Sequence, residues 1–273
     1  MKNGVLINIL TRTSGRPKGF YNCLQSVVNQ KYKNIEHYVS YESERDLEGV
    51  DSNHLKKVKV DRYEDEVLIN PEGHLHAPYN LYCNTLLKQV KGGWILFLDD
   101  DDHLLHNKVM TEVVSEIEKA NEDTLFIWQM RYPDGKVLPT KKHFEHELVE
   151  FMQIGSPCFM FHSKYKDMAQ WDQWKASDFR VVKRLSEVVP HKKWLERVYI
   201  QINNYGDFGN RNDIVQDTVT TKLIYNKTWY WYLIPKYHTT LNGVYIFQLK
   251  TYKSYWRRGV KKLQRIFKAA ILC

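Results

Sequence analysis

Cysteine is scarce in this chain of 273 residues. There are four, Cys23, Cys83, Cys158 and Cys273, far apart in the sequence. No two have zinc-ligand spacing and no disulfide framework can be read from them, so a small stapled fold is excluded and a reducing, cytosolic setting is expected. Long apolar runs are also missing. The first, Val5–Leu10, has six residues, shorter than a signal-peptide core, and no stretch approaches the ~20 apolar residues of a membrane span. Internal repeats and low-complexity linkers are absent. Acid is absent from residues 250–273, which hold eight of the 40 Lys and Arg. The net charge of +8 therefore belongs to that tail, and the remaining residues balance 32 basic against 32 acidic side chains. This excludes a nucleic-acid groove spread over the domain. What is present is ample core material, 43% hydrophobic and 14% aromatic, which excludes disorder.

The most informative segment is Trp94-Ile95-Leu96-Phe97-Leu98 followed by Asp99-Asp100-Asp101-Asp102. The apolar run reads as a buried strand with four adjacent carboxylates at its tip. Such carboxylates repel one another unless a divalent cation shares them, and oxygen donors suit Mg²⁺ and Mn²⁺. In open α/β sheets ligands bind beyond the carboxyl ends of strands. The plainer reading is an acidic turn capping a helix that begins near Leu104.

The surrounding pattern is strand Val5–Leu10, polar loop Thr11–Lys18, helix Phe20–Gln30 and strand Ile35–Tyr41, a βαβ unit of a parallel sheet. A short strand at Val58–Val60, a helix over Ala77–Val90, a helix over Val109–Ala120 and a strand over Thr124–Met130 follow. Pro133-Asp134-Gly135 signals a hairpin to Val137. Ile154–Phe161 reads as a strand and Ala176–Val188 as a helix.

Five segments, in order and with consistent spacing over residues 4–240, resemble the family 2 glycosyltransferases. They are Ile9-Leu10-Thr11-Arg12-Thr13; the helix and turn from Cys23 to Glu36; Asn80–Leu87 running into Gly93–Asp102; Ser177–Leu185; and Lys236-Tyr237-His238-Thr239-Thr240. The resemblance implies the GT-A fold, a Rossmann-like, mostly parallel sheet flanked by helices. It divides the chain into a nucleotide-sugar half (1–105), an acceptor half (106–240) and a basic tail (241–273). It implies an inverting, metal-dependent transfer from a nucleotide-diphosphate sugar, expected to be a UDP-sugar, to a glycan or lipid-linked acceptor.

By resemblance, Asp99 binds the donor ribose and Asp101 the Mn²⁺ or Mg²⁺ ion. Asp100 and Asp102 support them, Asp102 as a ligand through water or, on the plainer reading, a helix cap. His238 is a candidate to complete the metal shell, since imidazole suits Mn²⁺, although a lone His is more often packed or surface. Thr11 and Arg12 frame the base, and Arg16 can give a phosphate two donors. Asp178, at a helix start, is the candidate general base, with Asp172 in Trp171-Asp172-Gln173-Trp174 as competitor. The family's Asp-Asp-Gly-Ser is replaced by Tyr41-Glu42-Ser43-Glu44, so Glu42 stands where the base-reading Asp would be; its Arg-Asn is replaced by Cys83-Asn84, leaving Asn80 and Asn84 to hydrogen-bond the donor.

In the tail, Tyr252, Tyr255, Trp256, Val260, Leu263, Phe267, Ala270 and Ile271 recur at spacings of three and four among cations. This predicts an amphipathic C-terminal helix suited to an anionic membrane surface; its apolar stripe could equally pack on the domain. Two other functions stay open at this point. A sugar-nucleotide nucleotidyltransferase would need a Gly-rich phosphate loop, which Thr13–Lys18 echoes only faintly; a non-catalytic adaptor would act through the basic tail alone.

Overall fold

The computed structural model describes residues 4–62 and 76–203. The chain divides into two compact units, one of residues 1–63 and 78–215 and one of residues 64–77 and 216–273. Almost all described residues belong to the first. The basic tail and His238 lie outside the described residues.

The first unit is a nine-stranded mixed sheet. Strands β1 (Ile7–Arg12), β2 (Ile35–Tyr41), β3 (Leu55–Lys59) and β4 (Trp94–Phe97) form its parallel part in the order β3-β2-β1-β4. Beyond β4 lies β8 (Phe159–His162), antiparallel to β4 and to β6 (Thr124–Arg131). Next to β6 lie the hairpin strand β7 (Val137–Leu138) and the parallel β9 (His191–Gln201), which pairs with the two-residue β5 (His103–Leu104). The helices are α1 (Pro17–Val28), α2 (Leu81–Gln89), α3 (Val109–Ile117), α4 (Lys141–Glu145) and α5 (Ser177–Val188).

Local chemistry accounts for these elements. β1 and β4 read as nearly continuous apolar runs because parallel strands are covered on both faces; every residue of β4 is buried. α1 has Pro at its start, where a missing N–H costs nothing, and buries Phe20, Cys23, Leu24 and Val27 at helical spacing. Cys23, Cys83 and Cys158 are free thiols, all buried. The polar Asn8 is tolerated inside β1 because its amide nitrogen donates to the carbonyls of Gly92 (2.8 Å) and Trp94 (3.1 Å). Gly93 turns the chain into β4 with φ +81°; a Cβ there would stand 2.5 Å from the Leu6 carbonyl oxygen, so only glycine fits.

Several boundaries differ from the sequence pattern: β3 covers Leu55–Lys59 rather than Val58–Val60, α2 covers Leu81–Gln89 rather than Ala77–Val90, and β8 covers only Phe159–His162 of the strand expected over Ile154–Phe161. β1 extends two residues past Leu10, because Thr11 and Arg12 pair with Val39 and Ser40. No helix begins near Leu104: His103 and Leu104 pair with Gln201 and Ile200, and α3 starts at Val109 with Lys108 as its N-cap. Asp100 and Asp102 therefore do not cap a helix, which corrects the plainer reading of the acidic tip. The long strand β9 has no counterpart in the sequence pattern.

Candidate active site

The carboxyl ends of β1, β2 and β4 lie on one side of the sheet, because the three strands are parallel. The acidic tip leaves β4 there and closes a tight turn, with the Asp102 N–H donating to the Asp99 carbonyl (3.0 Å). Asp100, Asp101 and Asp102 are buried, 5%, 8% and 5% exposed. α1 can pass directly over this turn because it carries glycine at position 19; a Cβ at Gly19 would stand 3.2 Å from the Asp100 carbonyl oxygen.

Two arginines from the β1–α1 segment face the tip. The Arg12 Nε donates to Asp99 (3.1 Å) and its Nη1 to the Asn80 side-chain oxygen (2.5 Å). The Arg12 guanidinium also lies 5.1 Å from the ring centroids of both Tyr79 and Trp171, a two-sided cation–π contact. The Arg16 Nη1 donates to Asp100 (3.0 Å) and lies 3.2 Å from an Asp101 oxygen. Ser156 donates to the other Asp99 oxygen (2.7 Å). Asn203 closes the far side, its backbone N–H donating to Asp102 (3.3 Å) and its amide to the Asp101 carbonyl (2.6 Å).

These partners leave the four carboxylates unequal. Burial opposes the Asp99 charge, but Arg12 and Ser156 outweigh it and hold the carboxyl below its usual range. Burial raises Asp100 despite Arg16. Burial and the neighbouring Asp100 push Asp101 up to about 6. Burial and Asp101 push Asp102 well up. Burial thus weighs against the charge of three of the four carboxyls, and the two arginines offset it fully only at Asp99.

A cavity of about 280 Å³ opens on the tip. Arg12, Thr13, Ser14 and Arg16 line it from one side, Tyr79 and Tyr82 from another. Tyr132, Ser156 and Pro157 add a third wall, and Asp178 reaches it from the first turn of α5. Ala176, just before α5, adopts left-handed geometry (φ 62°); a non-glycine residue held there marks a turn that its surroundings impose. Burial, with the charge of Asp99, raises the Asp178 carboxyl, against the pull of the Phe179 N–H, Arg12 and Lys175.

Asp172 is engaged elsewhere. Arg180 donates to both its oxygens (2.5 Å each), and the Trp174 N–H donates to one of them (3.0 Å). Despite burial, this pair holds the Asp172 carboxyl low. Asp172 does not line the cavity.

The other residues singled out in the sequence take varied places. Thr11 is fully buried, its hydroxyl 2.9 Å from His37 Nε2. Glu42 accepts from the Tyr82 hydroxyl (2.8 Å), which puts it one side chain behind the cavity wall. Asn80 holds Arg12 and donates to the Trp174 carbonyl (2.8 Å). Asn84 is spent on the Trp171 backbone, accepting from its N–H (2.7 Å) and donating to its carbonyl (2.8 Å). Reading the sequence missed Lys175, Tyr79, Tyr82, Ser156 and Asp46. Lys175 is lowered to about 8 by burial, with Asp178 pulling the other way. Asp46 is a buried carboxylate that accepts from the backbone N–H groups of Gly15 (2.7 Å), Glu42 (2.9 Å) and Ser43 (2.9 Å), tying the β1–α1 loop to the loop after β2. An Asp four residues after Glu42 in a short polar loop was the only signal for it.

The donor set fits a hard divalent cation. Four adjacent carboxyl groups at one strand end supply the oxygen donors such an ion takes, and an ion would favour their charged forms against burial. Among the described residues, no group of three or more His, Cys, Asp or Glu side chains is placed to hold a metal ion by itself. An ion shared with substrate phosphates needs only one or two carboxylates, and Mg²⁺ in particular is held this way.

No protein-family model matches the chain, and a search among curated proteins finds no match. Solved structures do match. A 1–349 fragment of TarS from S. aureus superposes with a TM-score of 0.56 at 17% identity, covering 74% of this chain and 62% of that one. The same fragment in complex with UDP-GlcNAc gives 0.52 at 15%, covering 72% and 58%. The mannosyltransferase PcManGT from Pyrobaculum calidifontis, in complex with GDP-Man and Mn²⁺, gives 0.50 at 11%, covering 73% and 57%. This chain thus spans about three fifths of the length of the structures it matches. With the parallel β3-β2-β1-β4 core and the acidic tip at the end of β4, these likenesses show that the chain has the GT-A fold.

Proposed function

We propose that this protein is an inverting, metal-dependent glycosyltransferase that moves a sugar from a nucleotide-diphosphate donor, a UDP-sugar, to a hydroxyl of a glycan or lipid-linked acceptor. The observation that carries it is the meeting of Asp99–Asp102, Arg12, Arg16 and Asp178 in one cavity at the carboxyl ends of β1 and β4. Residues 1–105 form the donor half, residues 106–240 the acceptor half, and residues 241–273 a basic tail for an anionic membrane surface. No helix among the described residues is long and apolar enough to cross a membrane.

Asp99 takes the donor ribose, Asp101 and Asp102 hold the ion, and Arg16 takes the diphosphate. Thr13 and Ser14 add donors from the same loop. Thr11 and Arg12 shape the nucleoside pocket, with Asn80 fixing Arg12, Asn84 fixing the Trp171 segment and Glu42 facing the base through Tyr82. A bound Mn²⁺ or Mg²⁺ would neutralise charge on the departing diphosphate. Asp178 takes the proton of the acceptor hydroxyl as it attacks the anomeric carbon from the face opposite the leaving group. Its raised carboxyl makes it a stronger base than an ordinary aspartate once ionised, whereas Asp172 is already paired with Arg180.

Calorimetric titration with UDP and with GDP, each with and without Mn²⁺, on the wild type and Asp101→Ala tests this reading. Binding of one nucleotide that needs Mn²⁺ and disappears in the variant is expected. Binding of neither nucleotide under any condition would overturn it.

A further inference from the structure

The guanidinium of Arg16 sits on two of the carboxylates of the acidic tip. Its Nη1 lies 3.0 Å from Asp100 and 3.2 Å from Asp101, and its side chain is 13% exposed. A second cation entering beside these oxygens would have to share them with a guanidinium already seated on both carboxylates and would be repelled by it at a few ångström. The loop that launches Arg16 is pinned, because the N–H of the preceding Gly15 donates to the buried Asp46 carboxylate (2.7 Å). Thr13 and Ser14, three and two residues earlier on the same loop, line the same cavity. A diphosphate arriving there offers the guanidinium fork pairs of phosphate oxygens that it can grip with two N–H groups at once.

We propose that Arg16 and the divalent cation are mutually exclusive partners of Asp101, so that Arg16, seated between Asp100 and Asp101, closes the cation site of the free protein and the donor diphosphate opens it by drawing the guanidinium away. This rests on the metal-dependent reading given above. Cation affinity of the free protein is therefore low, and nucleotide and cation bind with strong positive coupling. By reciprocity the cation raises nucleotide affinity by the same factor. Arg16 acts here as a positioning residue, a tethered cation exchanged for a mobile one.

Free Mn²⁺ counted by electron paramagnetic resonance gives the affinity without any turnover. The wild type, Arg16→Gln and Arg16→Lys are titrated with Mn²⁺ alone, with Mn²⁺ plus UDP or GDP, and with Mn²⁺ plus inorganic pyrophosphate. In the absence of anions, Arg16→Gln is expected to bind Mn²⁺ at least about tenfold more tightly than the wild type, while Arg16→Lys stays close to wild type because the charge is kept. A nucleotide should tighten wild-type binding by a larger factor than it does in Arg16→Gln. Unchanged affinity of Arg16→Gln for Mn²⁺ alone, in a variant that keeps its circular dichroism and melting temperature, overturns the inference. If Mn²⁺ still binds the wild type with nucleotide in that case, the proposed function stands. If Mn²⁺ binds no variant even with UDP or GDP, the metal-dependent reading falls and the inference falls with it.

Discussion

At the scale of single residues, the site separates two acids that look alike in the sequence. Asp178 lines the cavity with a carboxyl raised by burial, and Asp172 is locked to Arg180 with a carboxyl held low. Asp178→Asn is expected to reduce sugar transfer by about 10²–10⁴-fold while leaving nucleotide affinity within about threefold, read by steady-state kinetics beside calorimetry. Because the base works only when ionised and its carboxyl titrates above the ordinary value of about 3.9, the acid limb of kcat/KM should lie above that pH and vanish from the residual rate of the variant. Asp172→Asn should retain transfer and lose about 1–2 kcal/mol of stability through the Arg180 pair. The folded Asp172 carboxyl titrates below its unfolded value. Its contribution is therefore complete above about pH 4 and fades as the pH falls through the folded value, which urea melts of wild type and variant at pH 7 and pH 3 would show as a closing gap.

At the scale of elements, the parallel half was legible because its chemistry is local. β2 has the boundaries its apolar run suggested, and Pro17 with the Phe20–Val27 spacing specifies α1. β9 was not legible because its period is broken. Its pairing with β6 slips between Trp128 and Gln129 and again before Met130, so Leu195, Val198 and Ile200 face successive partners while Glu196, Arg197 and Tyr199 fall between them. β5 was missed for a different reason: two residues become a strand only because β9 arrives beside them. The glycines at element ends carry the sharpest expectations. Gly93→Ala forces a side chain into left-handed backbone and against the Leu6 carbonyl, which should cost about 2–4 kcal/mol and lower Tm by roughly 5–15 °C in a thermal melt. Gly19→Ala presses α1 on the acidic tip at 3.2 Å; nucleotide affinity should weaken by about fivefold or more through misplacement of the site, with Tm nearly unchanged.

At the scale of the whole molecule, the acidic tip was readable in advance because four adjacent carboxylates after a buried strand have no packing rationale. The cage around them was not, since Arg12 is gripped by residues 68 and 87 positions away and Asn203 reaches back 102 positions to Asp101. Such long closures leave no trace in local periodicity. The basic tail makes its own prediction from charge alone. Replacing Arg257, Arg258, Lys261 and Lys262 by Glu should abolish co-sedimentation with phosphatidylserine vesicles, each cation being worth about 1 kcal/mol near an anionic surface, and should leave nucleotide binding intact.

The buried thiols give the protein a built-in set of clocks. Cys23 lies on α1, Cys83 on α2 and Cys158 just before β8, and burial pushes each thiol up, Cys83 to about 12. None can react with a thiol reagent until its own element opens, so each labelling rate measures the opening free energy of one region. With Cys273 replaced by Ser, mass spectrometry of pulse-labelled protein would time the three regions separately. Cys23 bonds Thr11 beneath the first loop of the cavity, and Cys83 sits under the charge of Arg12. Occupancy of the nucleotide site would then be legible, without any substrate turning over, as a slowing of those two clocks.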